Sequence, residues 1–407
     1  MKKIILFVFV AGLLAGCHFA DKRTDKETAA KIHKKVLTVD SHVDTPWDLL
    51  REGFDLSERH HYKKDRNRVD FPRMRDGGLD AVFMASFVGQ GERNDSAYRV
   101  AFAKAMQQVD SIHAHVGRLS GQAGIALSPE DAYRLEKEGK RIVFIGIENG
   151  YPIGLDLDNI KIFEKKGARY ITLCHTRNND ICDSSNDTTE HNGLSRFGEE
   201  LVGEMNRLGI MVDVSHISDS SFYDVLEITH APVIASHSCA RAICDNPRNL
   251  NDDMLRKLAE NGGVVQMCIL SDYVKTPELF PERDSAFQAV REKYNYFRDL
   301  SDEQEAMARE EWYAVDSLFP RKLATVSDMV DHIDHMVKVA GIDHVGIGTD
   351  FDGGGGLADC RDAGEVGNIT LELVNRGYTE EEIRKIWGGN IMRVMKKVQD
   401  YAGRQEI

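Results

Sequence analysis

The sequence predicts an α/β fold, a (β/α)8 barrel of the TIM type, from three observations. Eight short apolar runs recur along the 407 residues, as expected for buried parallel strands. Helix-length amphipathic segments lie between them, and four of the runs close on His, Asp or Glu. A barrel of parallel strands brings such residues together at the C-terminal rim, where catalytic groups gather.

The predicted strands are apolar on both faces, because each would lie between the barrel interior and a layer of helices. They span Leu37–Val43, Ala81–Val88, Ile142–Ile147, Tyr170–Cys174, Ile210–Ser215, Val233–Ser236, Val264–Cys268 and Val345–Gly348. Helical periodicity is clear between strands over Tyr98–Leu119, Leu194–Leu208 and Asp219–Thr229. Ser218 precedes the third helix as an N-cap, because its hydroxyl can satisfy a free amide of the first turn.

One segment interrupts this alternation. Residues 271–322 are charged, aromatic and helical in pattern, and they form a connection far longer than a barrel needs. They predict a helical insertion after the seventh strand, over or beside the mouth of the barrel. The chain then closes with a helix from Glu381 to Tyr401, in which Gly388-Gly389 marks a break.

The N-terminus is typical of an exported lipoprotein. A charged start precedes the apolar run Ile4–Leu14, which is too short to span a membrane comfortably. Leu14-Ala15-Gly16-Cys17 resembles a bacterial lipobox, which implies a signal peptide over 1–16 and lipid on the Cys17 thiol. A polar tether over 17–28 and one domain over 29–407 follow. The protein is therefore expected on the periplasmic or outer side of a membrane; the alternative is a simple secretory signal.

Composition narrows the classes of partner. Hydrophobic and charged fractions of 42% and 29% are ordinary for a globular protein. The net charge of −14 argues against nucleic acid, since phosphate binding needs a basic face. Six cysteines follow Cys17 without any CxxC spacing, so a cysteine zinc site is not predicted and disulfide pairing stays open.

Five side chains at predicted strand ends indicate a metal centre. His42 and Asp44 are two residues apart, so on a strand both point to the same side. Glu148 closes a very apolar strand, where an unpaired carboxylate would carry a large desolvation cost that bridging two cations would cancel. The alternative is pairing with an arginine. His216 and His237 end consecutive strands, and imidazole with carboxylate suits divalent metals, zinc first.

Six motifs, in the same order along the chain from about residue 36 onward, resemble those of the membrane dipeptidase (renal dipeptidase) family of zinc peptidases. They are Asp40-Ser41-His42-Val43-Asp44-Thr45-Pro46-Trp47, Gly146-Ile147-Glu148-Asn149-Gly150, Tyr170-Ile171-Thr172-Leu173-Cys174-His175, Val212-Asp213-Val214-Ser215-His216, Ser236-His237-Ser238 with Pro247-Arg248-Asn249, and Val345-Gly346-Ile347-Gly348-Thr349-Asp350-Phe351-Asp352-Gly353. The resemblance implies a barrel of the metal-dependent hydrolase kind. Segment 271–322 and the cysteine pattern have no clear counterpart in the family.

The resemblance further implies two Zn²⁺ ions per chain. His42 and Asp44 would bind one ion, His216 and His237 the other, and Glu148 would bridge both. A water or hydroxide between two cations loses its proton near neutral pH and becomes the nucleophile. The reaction would be hydrolysis of the peptide bond of dipeptides, including those with a D-residue at the C-terminal position.

Three further residues take roles from the same resemblance. Asp350 is expected to accept the proton and deliver it to the leaving amine, and His175 to stabilise the oxyanion. Arg248 is expected to bind the free carboxylate of the substrate, which suits a planar guanidinium. Asp352 could be an acid-base partner, a support or a loop residue. The resemblance also implies a homodimer.

Two other functions stay open from the sequence. One is another binuclear amidohydrolase acting on a cyclic amide or ester, although Glu148 stands where many such enzymes have a carboxylated lysine. The other is a solute-binding lipoprotein without turnover, which the complete ligand set argues against.

Some polar residues carry no chemistry in this interpretation. His113 and His115 point to different faces of a helix, so their HxH motif is not expected to bind metal. His332 and His335 are expected at the surface. The glycines of residues 353–356 are expected to let the loop after Asp350 pass close to metal and substrate.

Overall fold

Nine parallel strands form one sheet in the computed structural model, which describes residues 25–297 and 300–405. The strands are β1 (Val39–Val43), β2 (Ala81–Phe87), β3 (Ala123–Ile125), β4 (Arg141–Glu148), β5 (Ala168–Thr172), β6 (Met211–Asp213), β7 (Ile234–Ser238), β8 (Val264–Met267) and β9 (Val345–Ile347). Their order is β1-β2-β4-β5-β6-β7-β8-β9, with the short β3 paired to β4 outside this path. The eight strands of the path are those that the sequence predicts.

The sheet closes into a barrel between β9 and β1. The amide of Asp350 donates to the carbonyl of His42 at 3.0 Å, and the amide of Asp44 donates to the carbonyl of Phe351 at 2.8 Å. These bonds lie just beyond the end of β9, so the closure is made at the rim. The predicted (β/α)8 barrel is confirmed.

Helices surround the barrel in the expected alternation. They are α1 (residues 25–35), α2 (Pro46–Leu49), α3 (Phe71–Gly77), α4 (Asp95–Arg118), α5 (Pro129–Lys137), α6 (Asp158–Lys165), α7 (Arg196–Leu208), α8 (Asp219–Ile228), α9 (Asp252–Glu260), α10 (Ser271–Val274), α11 (Pro281–Lys293), α12 (Asp302–Leu318), α13 (Val326–Ala340), α14 (Gly367–Asn375), α15 (Glu380–Arg384) and α16 (Asn390–Gln405). Short 3-10 turns occupy Tyr151–Ile153, Asn295–Phe297 and Ile342–His344. Ser218 caps α8 by accepting a hydrogen bond from the amide of Ser221, as predicted.

The insertion predicted over 271–322 is observed as α10, α11 and α12, and it follows β8, the seventh strand of the barrel path. It has a small apolar core of its own, formed by Phe287, Val290, Tyr294, Ala308 and Val315. The predicted C-terminal helix is also observed. Its break is a π-helical segment, Lys385–Gly389, between α15 and α16.

The N-terminal helix α1 starts earlier than the predicted domain boundary. Residues 25–28, which the sequence assigns to a tether, belong to this helix, and its Ala29 and Ile32 are buried against the barrel. The predicted signal peptide and Cys17 lie outside the described residues. Within the described ranges, the helices are each too short or too polar to cross a membrane.

The barrel interior explains where the site lies. Along β4, Ile142, Phe144 and Gly146 alternate with residues that face the helices, so Glu148 continues the inward row at the rim. A Cβ at Gly146 would collide with the ring of Tyr170. Glycine at this position therefore lets Tyr170 fill the barrel directly beneath the rim.

Candidate metal centre

The five predicted ligand residues converge at the C-terminal rim of the barrel. His42 lies in β1 and His237 in β7, Glu148 ends β4, and Asp44 and His216 follow β1 and β6. All five are buried. Parallel strands produce this convergence because their carboxyl ends share one edge.

Glu148 divides the ligand atoms into two groups. Its Oε2 lies 3.6 Å from His42 Nε2, which is itself 3.5 Å from Asp44 Oδ2. Its Oε1 lies 3.1 Å from His216 Nε2 and 3.5 Å from His237 Nε2, and these two nitrogens are 2.8 Å apart. One carboxylate thus faces two triads of donor atoms, His42–Asp44–Glu148 and Glu148–His216–His237, and a third close group, His42–His237–Asp350, links the two.

These donor atoms fit zinc. Ligands about 2.0–2.1 Å from a tetrahedral ion lie roughly 3.3 Å from one another, close to the spacing in both triads. His42 Nε2 is buried without a hydrogen-bond partner, although it faces two carboxylates. Orphaned buried polar atoms are rare and call for an explanation such as an ion.

Hydrogen bonds behind the histidines orient two of the rings. His42 Nδ1 lies 2.8 Å from the hydroxyl of Tyr170. His237 Nδ1 lies 2.8 Å from Ser236 Oγ, whose hydroxyl donates to Asp213 at 2.6 Å, so His237 Nδ1 is the donor and Nε2 keeps a free lone pair. Such partners fix the tautomer of metal-binding imidazoles.

The charges of the metal-free site are strongly perturbed. Burial lowers the pKa of His216 and of His237 well below the usual range. Burial opposes charge on His42 as well, but Glu148 and Asp44 outweigh it and raise the pKa of His42 well above its usual value. Burial, with repulsion from Glu148, raises the pKa of Asp44. His42 and Asp44 therefore hold their protons more tightly than usual, and a cation bound between them would take the place of these protons.

Asp350 lies beside the first triad on a strained piece of backbone. Its φ of 61° is left-handed, and its carboxyl is in hydrogen-bond contact with that of Asp44. Burial, followed by the neighbouring Cys268 and Asp44, raises the pKa of Asp350 well above the usual range. A Cβ at Gly353 would collide with the carboxylates of both Asp44 and Asp350, so the glycine loop approaches the site as closely as predicted.

His175 stands at the opening of the site. Its Nε2 lies 3.8 Å from Glu148 Oε1, and its ring packs on the rings of Phe87 and His216. Burial and the nearby charge of Arg248 lower the pKa of His175. The imidazole is therefore neutral at ordinary pH and can present one N–H toward the site.

Arg248 is a buried cation without a described carboxylate partner. It donates to Ser238 Oγ and to the carbonyl of His237, both at 2.7 Å, and lies over the ring of Tyr273. Its Nε has no hydrogen-bond partner. Buried charges are normally paired, so this guanidinium is suited to an anionic ligand.

The sequence reasoning missed three supporting residues and misplaced one. Tyr170, Asp40 and Asp213 support the ligand residues from inside the barrel. In the sequence, Asp40 lies two residues before His42 and Asp213 lies three residues before His216. This proximity to the ligand histidines was the signal that could have identified the two aspartates. His332, expected at the surface, is instead fully buried. Its nitrogens bond the amide of Ala240 and the carbonyl of Val274, which satisfies the ring without exposure.

Asp352 serves as a loop anchor. Its carboxylate accepts from Thr45 Oγ1 at 2.7 Å, the amide of Arg68 at 2.6 Å and Asn67 at 3.3 Å. These contacts favour the supporting role among the three that the sequence left open. The HxH histidines lie elsewhere: His113 bonds the carbonyl of Lys166. The six described cysteines are buried and unpaired.

The sequence matches the family described as membrane dipeptidase (peptidase family M19) over residues 26–406. Dipeptidase 3 of Mus musculus is 31% identical over 382 residues, which cover 92% of this chain and 67% of that protein. Dipeptidase aclJ of Aspergillus oryzae is 31% identical over 342 residues, which cover 82% and 71%.

Solved structures agree with the fold. The probable dipeptidase PvdM from Pseudomonas aeruginosa superposes with a TM-score of 0.81 at 29% identity, covering 93% of this chain and all of that one. A metallopeptidase from Rhodobacter sphaeroides, liganded with a phosphinate mimic of the dipeptide L-Ala-D-Ala, gives a TM-score of 0.70 at 22% identity and covers 89% and 99%.

Proposed function

The chain belongs to the membrane dipeptidase family and is a metallo-dipeptidase, and we propose that it hydrolyses dipeptides with two zinc ions. The observation that carries the proposal is Glu148, whose two oxygens face different triads. His42 and Asp44 would hold one ion, and His216 and His237 the other. Nitrogen and oxygen donors in such spacing favour zinc.

When bound, the ions would lower the pKa of a water toward neutrality and polarise the scissile carbonyl. Asp350 is buried beside the first triad with a raised pKa, so it can accept a proton and deliver it to the leaving amine. His175 would donate a hydrogen bond to the carbonyl oxygen as negative charge develops there. Both roles need only the positions and protonation states described above.

Arg248 would bind the C-terminal carboxylate of the substrate. It is buried, unpaired with any described carboxylate and adjacent to His237, so a substrate held there places its peptide bond over the centre. The Rhodobacter sphaeroides relative holds a mimic of a dipeptide ending in D-Ala, which supports dipeptides, including those with a C-terminal D-residue, as substrates.

The decisive experiment measures metal content and hydrolysis of Gly-D-Ala on one preparation. We expect two zinc ions per chain, loss of hydrolysis after chelation and recovery with zinc. N-acetyl-Gly-D-Ala amide, which lacks both free termini, is the matched control and should resist cleavage. Two ions without peptide cleavage would favour the cyclic amide or ester alternative, and an absence of bound metal would favour the solute binder.

We propose as well that the protein is exported and anchored through lipid on Cys17. The lipobox-like sequence Leu14-Ala15-Gly16-Cys17 supports this proposal. Cys17→Ala should move the protein from the membrane fraction to the soluble fraction. Cys360→Ala is the control, and membrane retention of the Cys17 variant would contradict the anchor.

A further inference from the structure

A large cavity opens beside Asp44. It has a volume of about 1180 Å³ and extends outward between α2, α4 and the insertion helix α12. Trp47, Phe87 and Val88 also line it. Cavities of about 300–1000 Å³ accommodate drug-sized ligands, so this one is larger than an ordinary amino-acid side chain requires.

Four large apolar side chains that are exposed to solvent line this cavity. They are Leu50, Val100, Phe297 and Met307, with 39% to 55% of their surface exposed. They come from four separate segments, and two of them belong to the insertion. Single exposed apolar residues are normal, but several converging beside a catalytic centre indicate a binding surface. We call these four residues the apolar wall.

Several charged residues around the apolar wall are held by other side chains of the protein. Arg66 pairs with Glu310 at 2.9 Å, and Lys104 pairs with Glu305 at 3.5 Å. Arg309 stacks over the ring of Trp47. The lining as a whole has eight acidic and five basic residues, so the cavity is mildly acidic, and the apolar wall is its uncharged part.

The strand order fixes which end of a dipeptide reaches this cavity. Arg248 follows β7, whereas Phe87 and Val88 lie at the end of β2. These strands are four places apart in a closed ring of eight, so they stand on opposite sides of the barrel mouth. A dipeptide whose carboxylate binds Arg248 must direct its N-terminal residue toward the cavity.

We propose that the apolar wall is the subsite for the N-terminal residue and selects dipeptides that carry a long apolar side chain there. Met307 and Phe297, supplied by the insertion, are its specificity-determining residues. The inference rests on the proposed dipeptidase function and names its substrate class.

The test compares kcat/KM for Ala-Gly and for 2-aminooctanoyl-glycine, which is five methylenes longer. Full burial of a methylene is worth about fourfold in affinity, and half burial about twofold, so we expect a preference of roughly 30-fold or more. Met307→Glu should reduce this ratio about tenfold, and Met307→Leu should preserve it. Leu318→Glu is the matched control, because Leu318 lies in the same helix, is 73% exposed and does not line the cavity.

The outcomes separate the two proposals. Cleavage of Ala-Gly without preference for the longer substrate, or equal ratios in Met307→Glu and the unaltered protein, would overturn the apolar wall and leave the dipeptidase intact. Failure to cleave either substrate in the zinc-loaded protein would overturn the proposed function and this inference with it. The KM for 2-aminooctanoyl-glycine should rise in Met307→Glu and stay unchanged in Met307→Leu and Leu318→Glu.

Discussion

Replacing Glu148 with glutamine tests the centre most directly. The change keeps the size of the side chain but exchanges one oxygen for an NH2 group. That group would point its hydrogens at either His42 Nε2 or the pair His216 Nε2 and His237 Nε2, according to its orientation. A neutral amide with one acceptor atom cannot serve both triads. We therefore expect the variant to lose at least one of the two ions.

The size of the effect follows from linkage. A ligand at a free concentration 100 times its Kd stabilises a folded protein by about 2.7 kcal/mol, so two zinc sites would add about 5 kcal/mol. The Glu148→Gln variant should gain at most about half of this increment. If paired ions supply about 4 kcal/mol of transition-state stabilisation, turnover should fall about a thousandfold.

The assay is urea unfolding of both proteins, once with buffered zinc and once with chelator, together with metal content and kcat. The increment due to zinc is compared within each protein, so any intrinsic effect of the substitution cancels. Glu381→Gln, on the exposed helix α15, is the control and should behave as the unaltered protein does. Two retained ions with kcat within tenfold would remove Glu148 from the centre.

The other predictions concern residues around the candidate metal centre. Arg248→Ala should lower kcat/KM about 30-fold or more for a dipeptide with a free carboxylate and far less for its amide, because losing a buried charged partner costs about 2–5 kcal/mol; equal losses would refute the assignment. Tyr170→Phe should weaken zinc binding about 10- to 100-fold, as measured by competition with a chromogenic chelator, because the His42 ring loses its hydrogen bond; unchanged affinity would refute the orienting role. In chelated protein the free energy of unfolding should fall as pH rises from about 7 to 8, above the range in which the neutral rings of His175, His216 and His237 would gain protons on unfolding. Burial opposes charge on His42, but the neighbouring carboxylates outweigh this effect and raise the pKa of His42 above its usual value. Burial raises the pKa of Asp352 to about 7. Over this pH range both groups therefore keep protons in the folded protein that the unfolded chain has released. Denaturation curves at several pH values check this, and stability rising over that window would contradict it.

Most of the barrel could be predicted because its strands are continuous apolar runs. The predicted strand Ile142–Ile147 lies within the observed Arg141–Glu148. The three-residue β3 escaped prediction, since Ala123-Gly124-Ile125 is too short to show a period. Strand β6 ends earlier than predicted, because Asp213 accepts a hydrogen bond from the amide of Ser215 and draws the backbone out of the ladder.

The convergence of the site residues could be predicted because strand ends share one rim, but their supports could not. An aromatic residue in an apolar run, such as Tyr170, looks like ordinary core until the sheet closes and brings its hydroxyl to His42. The cavity beside Asp44 could not be predicted from the sequence either. It exists only where α12 of the insertion packs across from α4, and no local pattern in the insertion specifies that contact.

The polar residues of the site concentrate at two places where neighbouring strands of the barrel are paired at a single position. We call these two places the seams of the barrel. Strands β6 and β7 pair at the single position Asp213–Ile234, and the chain just beyond β9 pairs with β1 at the bridge between Val43 and Phe351. At the first seam Asp213 substitutes for ladder hydrogen bonds. Its carboxylate accepts from the amides of Ser215 and Ser236 and so joins the two strands from within.

Asp40 performs the same task at the second seam, where it accepts from the amides of His42 and Thr349. A carboxylate joins two strands without holding the next residues in extended backbone. His216 and Asp350, just beyond the seams, can therefore adopt left-handed φ values of 71° and 61°. Each such conformation costs roughly 1–3 kcal/mol and persists only where its surroundings fix it. Carboxylate bridges in place of ladder hydrogen bonds thus allow the chain to turn these two side chains inward, one toward each triad of the centre.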